Sequence, residues 1–217
     1  DNQCMNFRVI VSLFASVFLA FGAVQPSLAA NASNNAQSDA VITDMAQAFK
    51  RGDRKRLSAL LPQAKGHPLE PWAAYWELKA RLDEASTQDV RAYLHRYAGT
   101  YQEDRLRNDW LLLLGSRRDW STLSDEHPHY RMRDDRELRC YILTVELLEK
   151  GAQANPGLAD EVRRNWMAMR EADDGCTLAA DRLYFNKQFT ALDVWRKARL
   201  MMEIGRASCR ERVSSPV

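Results

Sequence analysis

Few residues in the chain have the types and spacing that catalysis or metal binding needs. His127-Pro128-His129 brings two histidines together, but no cysteine or third histidine stands nearby to complete a zinc site. Asp173-Asp174-Gly175 lacks the alternating oxygen ligands and the closing glutamate of a calcium loop, and is typical of a turn. A glycine-rich phosphate loop, a Gly-x-Ser-x-Gly elbow and a zinc signature are all missing from the sequence. These patterns predict no metal site.

Carboxylates and aromatic side chains are the other groups that could act on a substrate. The 29 acidic residues leave a glycosidase-type pair open by count alone, but none stands in an apolar surround that would raise its pKa. Several aromatic residues could stack on sugars, although their helical spacing favours core packing for most of them. They are Trp72, Tyr75, Trp76, Trp110, Trp120, Trp166 and Trp195. No catalytic or substrate-binding residue is assigned from these patterns.

Two of the four cysteines are candidates for a disulfide. Cys140 and Cys176 each stand near the start of a predicted helix, with one whole helix between them, whereas Cys4 and Cys209 lie in the terminal segments. In an oxidising compartment such a pair usually forms a bridge, worth roughly 3–4 kcal/mol in the chain-entropy model. The alternative is two buried free thiols. An export signal would favour the bridge.

Residues 5–32 have the pattern of such a signal. Met5-Asn6-Phe7-Arg8 forms a charged start, an apolar run extends from Val9 to Val24, and Pro26 ends it. The small residues of Ala30-Asn31-Ala32 then suit signal peptidase, with Ser27-Leu28-Ala29 as a second cleavage site. The alternative is a retained membrane anchor, because the run is close to the minimum length for spanning a bilayer. The cleavage site favours a signal peptide and a mature protein in the periplasm.

Both ends of the sequence look foreign to the folded domain. Residues 1–4 precede the natural Met start and resemble upstream sequence translated in frame. The helical pattern stops at Gly205, and residues 204–217 resemble a translated sequencing adapter, with a natural basic tail as the alternative. We interpret the gene as cut off near Glu203.

The net charge of the remaining body excludes some classes of partner. Setting the two ends aside removes four basic and two acidic residues from totals of 31 and 29, which leaves 27 of each. A formally neutral body has no overall electrostatic footprint for nucleic acid or for an anionic membrane. We therefore expect no nucleic-acid partner and, after signal cleavage, no membrane partner.

The body that must position these residues is predicted to be helical throughout. It has about 170 residues, enough for one domain with a sizeable core. After a flexible polar start at 33–38, apolar residues at helical spacing predict short helices over 39–203, without the alternation of a strand. Predicted N-caps are Asp39, Asp53, Ser86 or Thr87, and Asp134 or Asp135. Short helices need packing partners, so the pattern predicts an all-α fold: a right-handed α-superhelix, or irregular α-solenoid of short helix pairs.

Several motifs together resemble those of soluble lytic murein transglycosylases. The segment Pro68-Leu69-Glu70-Pro71-Trp72-Ala73-Ala74-Tyr75-Trp76 is similar to a Pro-Leu-x-Pro-aromatic helix start of that family. Further similar features follow in the same order over residues 40 to 203: Arg118-Asp119-Trp120, Cys140-Tyr141, Gly175-Cys176 before Leu183, and a helix from Trp195 to Met202. The resemblance identifies 39–203 as the N-terminal α-superhelical domain, which in the family helps to form a ring-shaped molecule. It also implies that Cys140 and Cys176 are bridged, as the two cysteines of that domain are in the family.

The resemblance further implies an activity for the full-length protein. Members of the family cleave the glycan strands of peptidoglycan in the periplasm and leave 1,6-anhydromuramoyl ends. One glutamate serves as acid and then base, without a metal or an organic cofactor. That glutamate belongs to a Glu-Ser motif, followed by Gly-Leu-Met-Gln, in a separate lysozyme-like domain, and this sequence contains neither motif. We therefore expect no catalytic residue in this chain and no activity from it alone. The alternative is a free-standing periplasmic helical-repeat adaptor that binds protein partners.

Overall fold

A computed structural model describes the backbone of residues 27–214 and the side chains of 38–203 other than Ala152. Within this part of the chain every regular element is a helix and no strand occurs, so the predicted all-α class is confirmed. The α-helices are α1 (Ser27–Arg51), α2 (Arg54–Leu60), α3 (Glu70–Ala80), α4 (Thr87–Arg96), α5 (Tyr101–Arg117), α6 (Trp120–Glu126), α7 (Arg136–Lys150), α8 (Leu158–Ala168), α9 (Asp174–Phe185) and α10 (Ala191–Ser214). Short 3₁₀ turns at Leu61–Ala64, His127–His129 and Gly151–Gln153 follow α2, α6 and α7.

The chain divides into two compact units, one up to Glu70 and the other from Pro71 onward, whereas the sequence predicts one domain. The first unit packs α1, α2 and the 3₁₀ turn around a small apolar core. Its fully buried side chains are Met45, Ala48, Leu57 and Ala64. Polar contacts tie its elements together, since His67 Nε2 lies 2.9 Å from Asp39 Oδ1 and Arg56 pairs with Asp44.

Helix α1 starts earlier than predicted. The sequence predicts a flexible start at 33–38 and a cap at Asp39, but the helix already begins at Ser27, so Asp39 is an interior residue. The stretch before Asp39 is rich in alanine and lacks proline and glycine, which favours continuation of the helix. The predicted end is correct, because Gly52 follows α1 with a positive φ of 70°. Most of the predicted signal peptide, residues 5–26, lies outside the described residues.

In the second unit each helix packs mainly on helices close to it in the chain. Helix α5 contacts α4, α6 and α7, and α7 in turn contacts α8 and α9. A continuous core joins α7, α8 and α9, and its buried members include Cys140, Leu143, Val162, Cys176 and Leu183. Stacking of this kind, between near neighbours and without a repeated sequence motif, is the packing of an irregular α-solenoid.

Side-chain caps fix where the helices of the second unit begin. Ser86 and Asp89 form a reciprocal capping box at the start of α4. Asp135 caps α7, which decides between the two predicted aspartates. Asp173 accepts a hydrogen bond from the Cys176 N–H, so α9 begins at Asp174 rather than near the predicted Thr177. The Asp173-Asp174-Gly175 segment is thus the capped start of a helix and not a calcium loop.

Helix α10 lies along α8 through two buried polar side chains. Asp193 accepts a hydrogen bond from Arg163 at 3.0 Å. The ammonium of Lys197 donates to the carbonyls of Trp166 and Met169 at 2.7 and 2.8 Å, which satisfies acceptors at the end of α8. Burial of this ammonium lowers the pKa of Lys197. The predicted stop at Gly205 is wrong, because the helix continues to Ser214; a single glycine costs only about 1 kcal/mol relative to alanine. The side chains after Glu203 lie outside the described residues.

The opposite face of α10 is exposed and carries large apolar side chains next to charged ones. Leu192, Trp195 and Met202 lie on the side away from Asp193 and Lys197, and each is more than half exposed. Phe185, at the end of α9, is 77% exposed. Among the described residues, no helix is long and apolar enough to cross a membrane.

Candidate functional site

Three of the motifs singled out in the sequence come together in the second unit. Arg118 follows α5 in a left-handed conformation with φ 62°, and its guanidinium pairs with Asp174 at the start of α9. The same guanidinium lies 5.8 Å from the centres of the Trp120 and Tyr141 rings, which are themselves 6.1 Å apart. Tyr141 donates its hydroxyl to Asp174. We call these four residues, Arg118, Trp120, Tyr141 and Asp174, the arginine cluster; it links the start of α6 to α7 and α9.

Two glycines allow the helices around the arginine cluster to approach closely. A Cβ at Gly115, in α5, would overlap the Tyr141 ring. A Cβ at Gly175, in α9, would overlap the backbone carbonyl of Glu137 in α7. Glycine is otherwise unfavourable inside a helix, so both positions are explained by packing.

Cys140 and Cys176 form a disulfide directly beside this cluster, with their Cα atoms 4.8 Å apart. Both residues are completely buried, and the bond joins α7 to α9 across a sequence separation of 36 residues. The disulfide and the arginine cluster therefore hold the same pair of helices together.

The carboxylates in and beside the arginine cluster form hydrogen bonds that hold α7 and α9 together. Hydrogen bonds from Arg118 and Tyr141 lower the pKa of Asp174. Burial raises the pKa of Glu137, which corrects the expectation that no carboxylate stands in an apolar surround. However, Glu137 accepts hydrogen bonds from the backbone N–H groups of Asp174 and Gly175 at 3.1 and 3.3 Å. It is thus engaged in holding the start of α9, which is a structural role.

An open depression on the second unit is the best candidate for a binding site. It has a volume of about 330 Å³ and is open to solvent. Its lining residues are Gly99, Thr100, Tyr101, Asp104, Arg131 and Met132. Tyr101, the first residue of α5, is 55% exposed, and its ring centre lies 5.9 Å from that of Trp72 in α3. Trp72 also contacts Tyr75 edge to face at 5.6 Å, so the Tyr101 ring packs against a pair of aromatic side chains.

The polar wall of the depression rests on a network of buried charges. Arg131 donates to Glu103 at 2.9 Å and to the Thr100 carbonyl at 3.0 Å, while half of its side chain is exposed. Asp104 accepts the backbone N–H groups of Arg131 and Met132, which fixes the segment after His129 against α5. Deeper in the network, Arg107 bridges Glu103 and Glu126 at 2.7 and 2.8 Å. Paired charges that are nearly buried hold their geometry rigidly, so the wall is preorganised.

The tryptophans that could stack on sugars by their type differ in how far the structure exposes them. Trp110 and Trp166 are buried, as core packing predicts, and Trp166 stacks on Phe189. Trp72, Trp76 and Trp120 are half-buried, and Trp195 is 65% exposed. Tyr101 and Arg131 were not identified from the sequence. Thr100 offers a retrospective signal for the start of the helix, because a threonine is a common N-cap and places Tyr101 in the first turn.

The histidine pair does not form a metal site in the described residues. His127 and His129 lie in a 3₁₀ turn, and burial lowers the pKa of His127. No group of three or more histidine, cysteine, aspartate or glutamate side chains in the described part of the chain could hold a metal ion.

Comparison with known proteins finds a solved structure of similar fold. The X-ray structure of an inactive mutant of the lytic transglycosylase Slt from Pseudomonas aeruginosa is similar to this chain, with a TM-score of 0.54 and 25% sequence identity. The similarity covers 77% of this chain but only 26% of that protein, so the chain spans about a quarter of its length. No family model and no curated protein matches the chain.

Proposed function

We propose that this chain is the N-terminal superhelical part of a periplasmic lytic transglycosylase that cleaves the glycan strands of peptidoglycan. The observation that carries the proposal is the similarity to Slt, which extends over 77% of the chain at 25% identity. The resemblance of the motifs supports it, because Arg118-Asp119-Trp120, Cys140-Tyr141 and Gly175-Cys176 all belong to one packed region of the second unit. Packing requirements shared by a family explain why such motifs recur together.

In this proposal the helices position the enzyme on its substrate, and catalysis is carried out by residues outside this chain. The sequence lacks the Glu-Ser motif of the family, and the one carboxylate whose pKa burial raises in this region, Glu137, is held by backbone N–H groups. We therefore assign no catalytic residue here. A disulfide between α7 and α9 suits an exported protein, because disulfides persist in oxidising compartments.

The gene itself provides the decisive test. Genomic DNA should be sequenced across the codon for Glu203, and the complete gene product incubated with purified peptidoglycan sacculi. We expect an open reading frame that continues into a lysozyme-like domain with a Glu-Ser motif, and 1,6-anhydromuramoyl products in the mass spectrum. A stop codon near Glu203, or a complete product that releases no anhydro ends, would refute the proposal.

A free-standing helical adaptor is the second candidate, and one observation favours it. Leu192, Trp195 and Met202 are exposed apolar side chains on one side of α10, beside the exposed Arg199, and side chains of this type are often covered by another helix. A stop codon near Glu203, together with the loss of a co-purifying protein on Trp195→Glu substitution, would support the adaptor instead.

A further inference from the structure

We propose that the depression beside Tyr101 binds a sugar chain, and that its ligand is the glycan strand of peptidoglycan. The surface is inferred from its geometry, whereas the choice of peptidoglycan among glycans rests on the proposed function. No residue of this chain has been assigned to sugar binding by the sequence motifs or by the comparison with Slt.

The exposed ring of Tyr101 offers a surface on which a sugar can stack. The Thr100 side chain accepts the Glu103 N–H at 3.1 Å and donates to the Tyr97 carbonyl at 2.7 Å, which fixes the backbone just before the ring. Behind the ring stands Trp72, itself held edge to face by Tyr75. Because these contacts restrict the ring before binding, less conformational entropy is lost when a pyranose stacks its C–H face on it.

Arg131 supplies hydrogen-bond donors beside the ring. Nη2 of Arg131 is bonded to Glu103 and to the Thr100 carbonyl, and Nε lies 3.7 Å from Asp104. The N–H groups on Nη1 have no bond to any described residue, so a planar guanidinium in a fixed position still has donors to offer. Such donors suit the acetyl carbonyls and carboxylates that peptidoglycan strands carry.

The size and openness of the depression select a polymer over a small molecule. Its volume of about 330 Å³ lies at the lower end of ligand sites, and it is open to solvent rather than enclosed. A small ligand would keep much of its surface in water there. One or two sugar units of a long strand would fit, while the rest of the strand continued across the surface.

The primary test measures co-sedimentation of the purified exported chain with peptidoglycan sacculi. Tyr101→Ala should weaken binding about five- to tenfold, the loss expected for one aromatic contact. Tyr101→Phe keeps the ring and should bind like the unmodified chain. Tyr184→Ala removes another exposed tyrosine of the same unit and serves as the matched control. Far-UV circular dichroism and the melting temperature should be the same for all four proteins.

The second test separates sugar from charge. Binding of a soluble, neutral N-acetylglucosamine tetramer is measured by calorimetry for the unmodified chain, Tyr101→Ala and Arg131→Gln. We expect Tyr101→Ala to lose affinity for both the tetramer and sacculi. Arg131→Gln should lose more affinity for sacculi, which carry carboxylates, than for the neutral tetramer.

Several outcomes would overturn the inference. They are equal sedimentation of Tyr101→Ala and the unmodified chain, no sedimentation of the unmodified chain, and binding of acidic peptides in preference to both glycans. Failure of the sugar-binding inference can be told apart from failure of the proposed enzymatic function. A stop codon near Glu203 would remove the enzyme while leaving Tyr101-dependent sugar binding intact, and anhydro products with unaltered Tyr101→Ala binding would do the reverse.

Discussion

At the scale of single residues, close packing in the second unit depends on a glycine, because glycine has no Cβ atom. Gly115 lies inside α5, where alanine would be preferred by about 1 kcal/mol, yet a Cβ there would overlap the Tyr141 ring. Tyr141 cannot move aside easily, because its hydroxyl is bonded to Asp174 and its ring contacts Trp120. Close packing at this point thus outweighs helix propensity.

The first prediction concerns this glycine. Gly115→Ala should lower the free energy of unfolding by about 1–3 kcal/mol, since overpacking exceeds the gain in helix propensity. Urea denaturation followed by circular dichroism would measure it. Gly157→Ala is the matched control, because a Cβ there meets only Asn155 Oδ1 at 3.5 Å, an ordinary contact. Gly115→Ala should cost less in a Tyr141→Leu background than in the unmodified chain; an equal cost in both backgrounds would contradict the assigned clash.

The second prediction concerns the ion pair between Asp174 and Arg118. Hydrogen bonds from Arg118 and Tyr141 lower the pKa of Asp174 below its usual 3.8. An acid whose pKa is lower in the folded state stabilises the fold above its unfolded pKa, and that stability is lost as pH falls through the folded pKa. Asp174→Asn should therefore cost about 0.5–1 kcal/mol at pH 7, a small value because the pair is partly exposed.

The pH profile is the measurement that distinguishes this effect. The stability difference between the unmodified chain and Asp174→Asn should shrink as pH falls below about 4. Asp160→Asn removes an exposed partner of Arg163 and should change stability by less than about 0.5 kcal/mol. A difference for Asp174→Asn that stays constant down to pH 2 would show that the carboxylate charge is not responsible.

At the scale of elements, helices α7 and α9 carry the strongest cross-link of the second unit. The third prediction is that replacing both Cys140 and Cys176 by serine lowers the free energy of unfolding by about 4 kcal/mol.

Thiol labelling tests whether the bridge exists, and it should be done in a Cys4→Ser, Cys209→Ser background, so that only the sulfurs of Cys140 and Cys176 can react. No thiol should label after denaturation without reductant, and two should label after reduction; two labelled thiols without reductant would disprove the bridge.

Most helix positions could be predicted from the sequence, whereas two helix ends and the depression could not. Helix positions followed from apolar spacing and from caps such as Asp53, Ser86 and Asp135, because both signals are local. The early start of α1 and the continuation of α10 were missed, since alanine-rich and charged segments carry no apolar stripe to mark their ends. The depression could not be predicted, because it joins the start of α5 to the segment after His129 through tertiary packing.

At the scale of the whole molecule, the division after Glu70 leads to the fourth prediction. The second unit has its own core, its own disulfide and its own charge network, so residues 71–203 should fold without the first unit. The expressed segment should be helical and unfold in one cooperative transition that moves to a lower temperature on reduction. A segment that is helical but melts without cooperativity would show that the first unit is required.

The stacking of near neighbours has a consequence for how the chain acquires its structure. Contacts between helices close in the chain require little loop closure before they form, so folding should be fast and should proceed in parts. The pairing of α7 with α9 requires more loop closure than contacts between consecutive helices, because it skips α8 and closes a loop of 36 residues. We therefore expect the docking of α9 to be a late step, and the Arg118–Asp174 pair to be absent from the folding transition state.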